Sequence, residues 1–281
     1  MRTNRFAVSI VLSSLFLCGA GCLAGPELTR TEPSGPGPAV SMPAEPTRKA
    51  LQKQDGEPWH RLADGVEKTI IADDASGDSV TLFRFAAGAF SVRLLSSPEM
   101  PKSVAEWAKT VGGKSAVING TYFNDDRAPS GFVAIDGKRV GSRSFDLDKS
   151  GLLLFSPEFR IANTKREKIG LDAVALVNAA QSYPFYVLDG RAAIGRDSGQ
   201  VSRRSFIGQD EQGRTYLGVV PNGLISLYAL MGILMRSGIS WRNVLSLDGG
   251  PSTGLVSSFG DTADLYDSFD PVPNVIVVTR K

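Results

Sequence analysis

From Trp59 onward, short stretches of alternating or continuous apolar residues follow one another with turn residues between them. SVTLFRF (79–85), FSVRLLSS (90–97), SAVINGTYF (115–123), GFVAIDGKRV (131–140) and GLLLFS (151–156) read as strands. So do FRIANT (159–164), DAVALVN (172–178), FYVLDGRAAI (185–194), RSFIGQDEQGRTYLGVV (204–220) and NVIVVTR (274–280). Asp136-Gly137 and Gln212-Gly213 fall where hairpins need positive φ. Two stretches carry a helical period instead. PKSVAEWAKTVGG (101–113) has proline near its start, glycines at its end, and Val104, Trp107 and Val111 on one face. LISLYALMGILMRSG (224–238) spaces Leu227, Leu230, Met231 and Leu234 helically and is apolar almost all round, which predicts deep burial. Many strands and few helices predict an α+β domain, 59–281, on a large mixed β-sheet.

The preceding residues have a different pattern. Arg2 and Arg5 lead into an apolar run from Phe6 to Leu17, then small residues up to Cys22. That is the layout of a secretory leader, 1–22, too short for a comfortable membrane span. GAGC resembles a bacterial lipobox with Cys22 as the lipidated residue, although Gly19 stands where an aliphatic residue is usual. Residues 23–58 are rich in Pro, Gly, Ser and Thr and read as a flexible tether. The expectation is an exported protein, lipid-anchored to the cell envelope, with the outer membrane or surface favoured.

Composition narrows the chemistry. Both cysteines, Cys18 and Cys22, lie in the leader, so the domain has no disulfide, thiolate metal site or cysteine nucleophile. Its one histidine, His60, sits at the domain's edge and cannot build a His-rich metal site. Arg2 and Arg5 account for the formal charge of +2, so the rest of the chain is neutral and has no basic tract. Nucleic acid is not the expected partner. The remaining reactive groups are carboxylates, arginines, hydroxyls, amides and backbone.

Three blocks bring such groups to strand ends. In the first, Asn119 and Gly120 precede Thr121, Tyr122 and Phe123. An amide beside a glycine can face a ligand that backbone approaches closely, or simply form a turn. In the second, Arg203 and Arg204 enter an alternating strand. Their guanidinium forks suit phosphate or carboxylate, or a solvated strand end. In the third, NVLSLDGGPSTGLV (243–256), an apolar run ends in Asp248, followed by Gly249, Gly250, Pro251, Ser252 and Thr253. That pattern serves a close-approach pocket edge or an ordinary Asx turn.

Taken in order, NGTYF, APSGF, RSFIG, the apolar helix, SLDGGPST and PVPNVIVV resemble the phosphodiester glycosidase family, the N-acetylglucosamine-1-phosphodiester alpha-N-acetylglucosaminidase-like domains. The resemblance runs from about Ser115 to the end. Thr121 stands in place of the family's second glycine, and Pro251 interrupts its glycine run. The resemblance implies hydrolysis of a glycan phosphodiester, a sugar-1-phosphate diester. Arg204 would hold phosphate, and Asn119, Gly120, Thr121, Gly249, Gly250, Ser252 and Thr253 would line the substrate cleft. Asp248 is the first candidate for acid/base or nucleophile, and Asp189, which ends another strand before a glycine, is the second. No cofactor is called for. A divalent cation held by Asp248, Asp125 or Asp126 is the open alternative, since hard cations take oxygen ligands. A non-catalytic envelope glycan-binding lipoprotein, with Tyr122, Phe123 and Tyr183 stacking sugars, is the rival reading.

Overall fold

The computed structural model describes residues 59–73, 77–142, 144–170, 178–261 and 263–281. The expected leader and tether lie outside these residues, as does the expected strand 172–178 except for Asn178. Among the described residues, eighteen strands and two α-helices follow in order: β1 (His60–Ala63), β2 (Val66–Asp73), β3 (Asp78–Phe85), β4 (Phe90–Ser96), α1 (Val104–Val111), β5 (Ser115–Asn119), β6 (Phe132–Ile135), β7 (Lys138–Gly141), β8 (Gly151–Leu154), β9 (Arg160–Asn163), β10 (Ala179–Ser182), β11 (Phe185–Leu188), β12 (Arg191–Ala192), β13 (Val201–Asp210), β14 (Thr215–Ser226), α2 (Leu227–Arg236), β15 (Trp241–Ser246), β16 (Leu255–Ser257), β17 (Asp264–Tyr266) and β18 (Asn274–Arg280).

The α+β class holds, but the strands divide into three sheets. Eight strands order as β1-β2-β3-β14-β13-β15-β11-β12, five as β7-β6-β10-β8-β9, and five as β17-β16-β5-β18-β4. Every described pairing is antiparallel, from the β13–β14 hairpin to the β5–β18 ladder, so the sheet is not the mixed one expected. Hairpins dominate, closed by turn dipeptides at positive φ. Asp136 (φ 50°) and Gly137 (φ 72°) close β6–β7, and Asp189 (φ 50°) and Gly190 (φ 74°) close β11–β12.

Strand alternation distributes the apolar side chains among several layers. The central core takes Phe83 and Phe85 of β3, Ile118 of β5, Leu153 of β8, Ile207 of β13, Leu245 of β15 and Ile276 of β18, so all three sheets contribute to it. The opposite faces pack elsewhere. Leu82, Phe206, Tyr216 and Val244 meet Leu230, Met231, Ile233 and Leu234 of α2. Val117, Val275 and Val277 meet Val104 and Trp107 of α1. Helix α2 is therefore only half immersed, and Tyr228 on its outer side is 42% exposed, against the deep burial its composition suggests.

Helix α1 begins at Val104 because Ser103 caps it, rather than Pro101. Ser103 Oγ accepts the Glu106 N–H (3.2 Å) and Glu106 Oε2 accepts the Ser103 N–H (2.8 Å), a reciprocal box that satisfies two helix-end donors. Neither described helix is long and apolar enough to cross a membrane.

Candidate functional site

The three sheets meet at Ser246–Asp248, at the end of β15. From the eight-stranded sheet, Ser205 of β13 donates its hydroxyl to the Asp248 carbonyl (2.7 Å), and its own carbonyl accepts the Leu247 N–H (3.0 Å). From the sheet of β5, Asn119 Nδ2 donates to the same Asp248 carbonyl (2.7 Å), and the Asp248 N–H donates to Gly120 O (3.1 Å). From the sheet of β10, Ser182 Oγ donates to Ser246 O (2.6 Å). Backbone donors and acceptors at a strand end must find partners. Here side chains from other sheets supply them, which fixes Asp248 from several directions.

The Asp248 side chain is treated differently. Its Oδ1 accepts the Gly249 N–H (2.9 Å), and the Ser252 hydroxyl also hydrogen-bonds to it. Burial nevertheless dominates and raises its pKa above the ordinary 3.8, the two hydrogen bonds opposing but not cancelling the shift. No ion pair involving Asp248 occurs among the described residues, so no cation offsets the desolvation. A carboxylate kept short of partners in a junction is a candidate reactive group.

Around it stand hydroxyls and one arginine. Ser246 Oγ donates to Leu247 O (3.1 Å), leaving it to accept from Tyr122 OH (3.3 Å) and Tyr186 OH (3.4 Å). Burial pushes Tyr186 up to about 12. It raises Tyr122 as well, with the Asp248 charge adding to the shift, so both phenols are neutral donors at neutral pH. The Tyr122 ring lies 4.8 Å from that of Tyr183, which is 39% exposed, and Lys149 Nζ is 5.1 Å from the Tyr183 ring.

Both arginines of β13 are buried, because the β13–β14 ladder breaks beside them. Ser202 pairs with Ile225 and Arg204 with Val220, so the four residues 221–224 oppose Arg203 alone. The side chains fill the break. Arg203 Nε donates to Pro221 O (2.5 Å) and its Nη2 to Asp267 O (3.1 Å). Arg204 Nε donates to Ile225 O (3.1 Å) and its Nη2 to Gln200 O (2.9 Å). Arg204 Nη1 has no partner among the described residues and points to the Asp248 turn, where a methyl on Gly249 would lie 3.7 Å from it. Arg203 Nη1 is buried without a partner, and burial lowers the pKa of that guanidinium.

The structure thus gathers Asn119, Gly120, Thr121, Arg204, Asp248, Gly249, Gly250, Ser252 and Thr253 around one turn, but several of them have other duties than touching a ligand. Gly120 is glycine because its missing methyl would fall 1.8 Å from Asn274 Oδ1, and that space belongs to the protein. A methyl on Gly249 would come 3.0 Å from Arg203 O, and one on Gly250 3.3 Å from Ser202 Oγ, so the turn docks on β13. Asn119 is fully buried, and its Oδ1 accepts the Gly254 N–H (3.1 Å). Thr121 and Thr253 are buried with unpaired hydroxyls.

Asp189 is elsewhere. Leu188 pairs with Asn243, and the Asp189 N–H donates to Asn243 Oδ1 (2.9 Å). Asp248 is five residues farther along the chain, roughly 15 Å at strand rise. Asp189 pairs with Arg166 and lines a cavity of about 350 Å³ with Arg160, Asn163 and Arg242. That cavity does not include Asp248.

Asp125 and Asp126 are exposed in the loop after β5, where Asp126 Oδ1 accepts the Ala128 N–H (3.1 Å). No group of three or more His, Cys, Asp or Glu side chains suited to a metal occurs among the described residues. Sequence reasoning missed Ser205, Ser246, Tyr186 and Asn274. Only Asn274 carried a signal, as the asparagine of PVPNVIVV.

Compared with known proteins, residues 112–279 match the family model described as phosphodiester glycosidase. The fold is similar to the zebrafish N-acetylglucosamine-1-phosphodiester alpha-N-acetylglucosaminidase catalytic domain, auto-inhibited by its pro-peptide. That match has a TM-score of 0.59 and 16% identity over 79% of this chain and 86% of that one. A hypothetical protein from Synechocystis matches with a TM-score of 0.56 and 17% identity, over 80% of this chain. The chain spans 64% of that protein, under two thirds of its length. At these identities the two likenesses establish the fold alone. No curated protein matches.

Proposed function

The chain belongs to the phosphodiester glycosidase family, and from that premise we propose that it hydrolyses a sugar-1-phosphate diester, with Asp248 acting at the anomeric carbon and Arg204 holding the phosphate. The observation that carries the proposal is the pairing of a largely desolvated, unneutralised carboxylate with an arginine whose Nη1 is free beside the same turn.

The chemistry follows from the leaving group. A phosphomonoester departs as a stable anion and needs charge neutralisation more than a proton. Arg204 supplies that through Nη1, while its Nε and Nη2 are held by Ile225 O and Gln200 O. Fixing two arms of the fork leaves the third oriented before substrate arrives. Asp248, raised in basicity by burial, either attacks the anomeric carbon or takes a proton from the attacking water. Asp189 is left out of the proposed step because it lies beside Asn243, in a cavity that does not include Asp248. The Tyr122–Tyr183 ring pair offers a surface for a sugar face beside Asp248. Cys22 would tether the enzyme by lipid to the cell envelope, with residues 23–58 as the spacer and the outer membrane or surface as the favoured site.

Steady-state hydrolysis of an activated sugar phosphodiester tests the reading. Asp248→Asn is expected to lower kcat at least ~100-fold, the low end for loss of a general acid or base. Arg204→Lys is expected to weaken binding of the phosphodiester more than that of the neutral sugar, because lysine keeps charge and loses the fork. A folded Asp248→Asn enzyme with near-normal turnover would sink the assignment. A wild-type protein that binds the sugar and turns over no sugar phosphodiester would favour the non-catalytic glycan-binding reading.

A further inference from the structure

Isolated exposed apolar side chains are ordinary on protein surfaces, but several grouped around buried cations are not. Val201 is 52% exposed, Leu224 66%, Tyr228 42% and Phe269 76%. Phe269 contacts Arg203, and the other three lie near the arginines along β13, β14 and the start of α2. Val201 pairs with Ser226, two residues before Tyr228. Leu224 ends the four-residue insertion opposite Arg203, immediately before Ile225, whose carbonyl holds Arg204 Nε. The Phe269 ring stacks 4.1 Å from the Arg203 guanidinium. Phe269 is also tied to the Asp248 turn, since its N–H donates to Pro251 O (2.8 Å).

The two sides of the arginines therefore differ in chemistry. Beside Asp248 the open surface is the Tyr122–Tyr183 ring pair with Lys149 next to it, aromatic faces with a polar rim suited to a sugar. Val201, Leu224 and Tyr228, with Phe269 over Arg203 at the edge of the turn, form a second surface with little to offer a second sugar's hydroxyls. A phosphodiester has two arms on one phosphate. With the phosphate at Arg204 and the sugar toward Asp248, the other arm passes over the apolar side.

We propose that the aglycone of the substrate is apolar: the protein acts on a sugar phosphate esterified to an alkyl or polyprenyl-like alcohol, whose chain lies over Val201, Leu224, Tyr228 and Phe269. This rests on the glycosidase reading of Asp248 and Arg204. Water adds at the anomeric carbon, the carbon–oxygen bond to phosphate breaks, and the alkyl phosphate leaves with the electron pair, its ester bond to the alcohol intact. The aglycone is thus never cleaved, and the apolar surface contributes only by binding.

The test compares one activated sugar as its methyl and octyl phosphodiesters, with the octyl ester kept below its micelle concentration. Wild type is expected to prefer the octyl ester by at least ~10-fold in kcat/KM, through burial of part of the chain. In a Val201→Thr, Leu224→Ser, Phe269→Ser variant the ratio should fall toward one. Equal kcat/KM for both esters in wild type overturns the proposal and leaves the glycosidase reading standing. Titration of Asp248→Asn with octyl phosphate and methyl phosphate reads the same surface without turnover. Tighter octyl phosphate binding that the triple variant loses supports the apolar subsite even if neither ester is hydrolysed, in which case the glycosidase reading fails instead. Should the triple variant keep the octyl preference but lose binding to phosphatidylglycerol vesicles, these residues contact a membrane surface and the proposal is wrong.

Discussion

Gly120→Ala separates two explanations of the same glycine. If Gly120 serves a ligand, a methyl there obstructs substrate and leaves stability alone. The structure argues otherwise. The methyl would fall 1.8 Å from Asn274 Oδ1 and 2.9 Å from the Asn274 carbonyl, and Asn274 is 1% exposed with no solvent to swing into. Its side chain is also occupied: Oδ1 accepts the Thr121 N–H (2.7 Å) and Nδ2 donates to Thr121 O (3.2 Å). Displacing the amide breaks both bonds and strands a buried N–H, together about 2–3 kcal/mol. Forcing a methyl into a filled site adds about 1–3 kcal/mol. The expected loss is about 3–6 kcal/mol, a large share of a typical stability of about 5–15 kcal/mol.

Urea unfolding of wild type, Gly120→Ala, Asn274→Ala and the double variant measures it. The double variant should be less destabilised than the sum of the singles by about 1 kcal/mol or more, because the two groups compete for one space. A Gly120→Ala protein that loses under about 1 kcal/mol while its KM for the phosphodiester rises would refute the argument. The glycine would then face substrate after all.

Other outcomes follow from the same geometry. Burial holds the folded pKa of Asp248 above its unfolded value of 3.8, so the ionised side chain costs stability at neutral pH. That cost fades as pH falls through the raised folded pKa and is gone below the unfolded one. Asp248→Asn should therefore unfold at an equal or higher temperature than wild type at pH 7, with the gap closing on acidification; a variant clearly less stable at pH 7 would contradict this. Ser205→Ala removes one of two donors to the Asp248 carbonyl and should lower kcat at least ~10-fold with KM little changed, as expected for a positioning residue. A rise in KM at constant kcat would place Ser205 in substrate binding instead. Cys22→Ser should release the chain from the membrane fraction, and firm retention would contradict lipid anchoring.

Local structure was legible where the signal was local. The hairpin at Asp136-Gly137 and the helix over Val104–Val111 follow from a turn dipeptide and an apolar period, both contained in a dozen residues. The division into three sheets was not legible, because β5 pairs with β16 and β18, more than a hundred residues away. A strand that reads as part of one large sheet carries no mark of which sheet it joins. The same distance hid half the site. Asp248 and Arg204 stood out as charges in apolar strands. Ser205 and Ser246 are small hydroxyls in such strands and acquire a role only when two more sheets arrive. The glycines were noticed for the right property, close approach, but the approaching groups are Asn274 and β13.

Long-range support has a consequence for the proposed site. The Asp248 backbone is held by Gly120 O, Asn119 Nδ2 and Ser205 Oγ, donors and acceptors from two separate sheets, while its carboxylate has one N–H and one hydroxyl and is largely desolvated. Rigidity is spent on the main chain and withheld from the reactive group. A carboxylate satisfied by an arginine would be stable and a poor base. One left desolvated in a loose turn would move away or draw in water. Pinning the backbone with groups from elsewhere in the fold allows the side chain to remain unsatisfied without unfolding the turn, a local cost that persists because the surroundings over-determine it. In the proposed reaction the buried asparagines and close-packed glycines at this turn would thus serve the chemistry although they need touch no substrate. Their effect is to hold Asp248 in a state that a free strand end would relax.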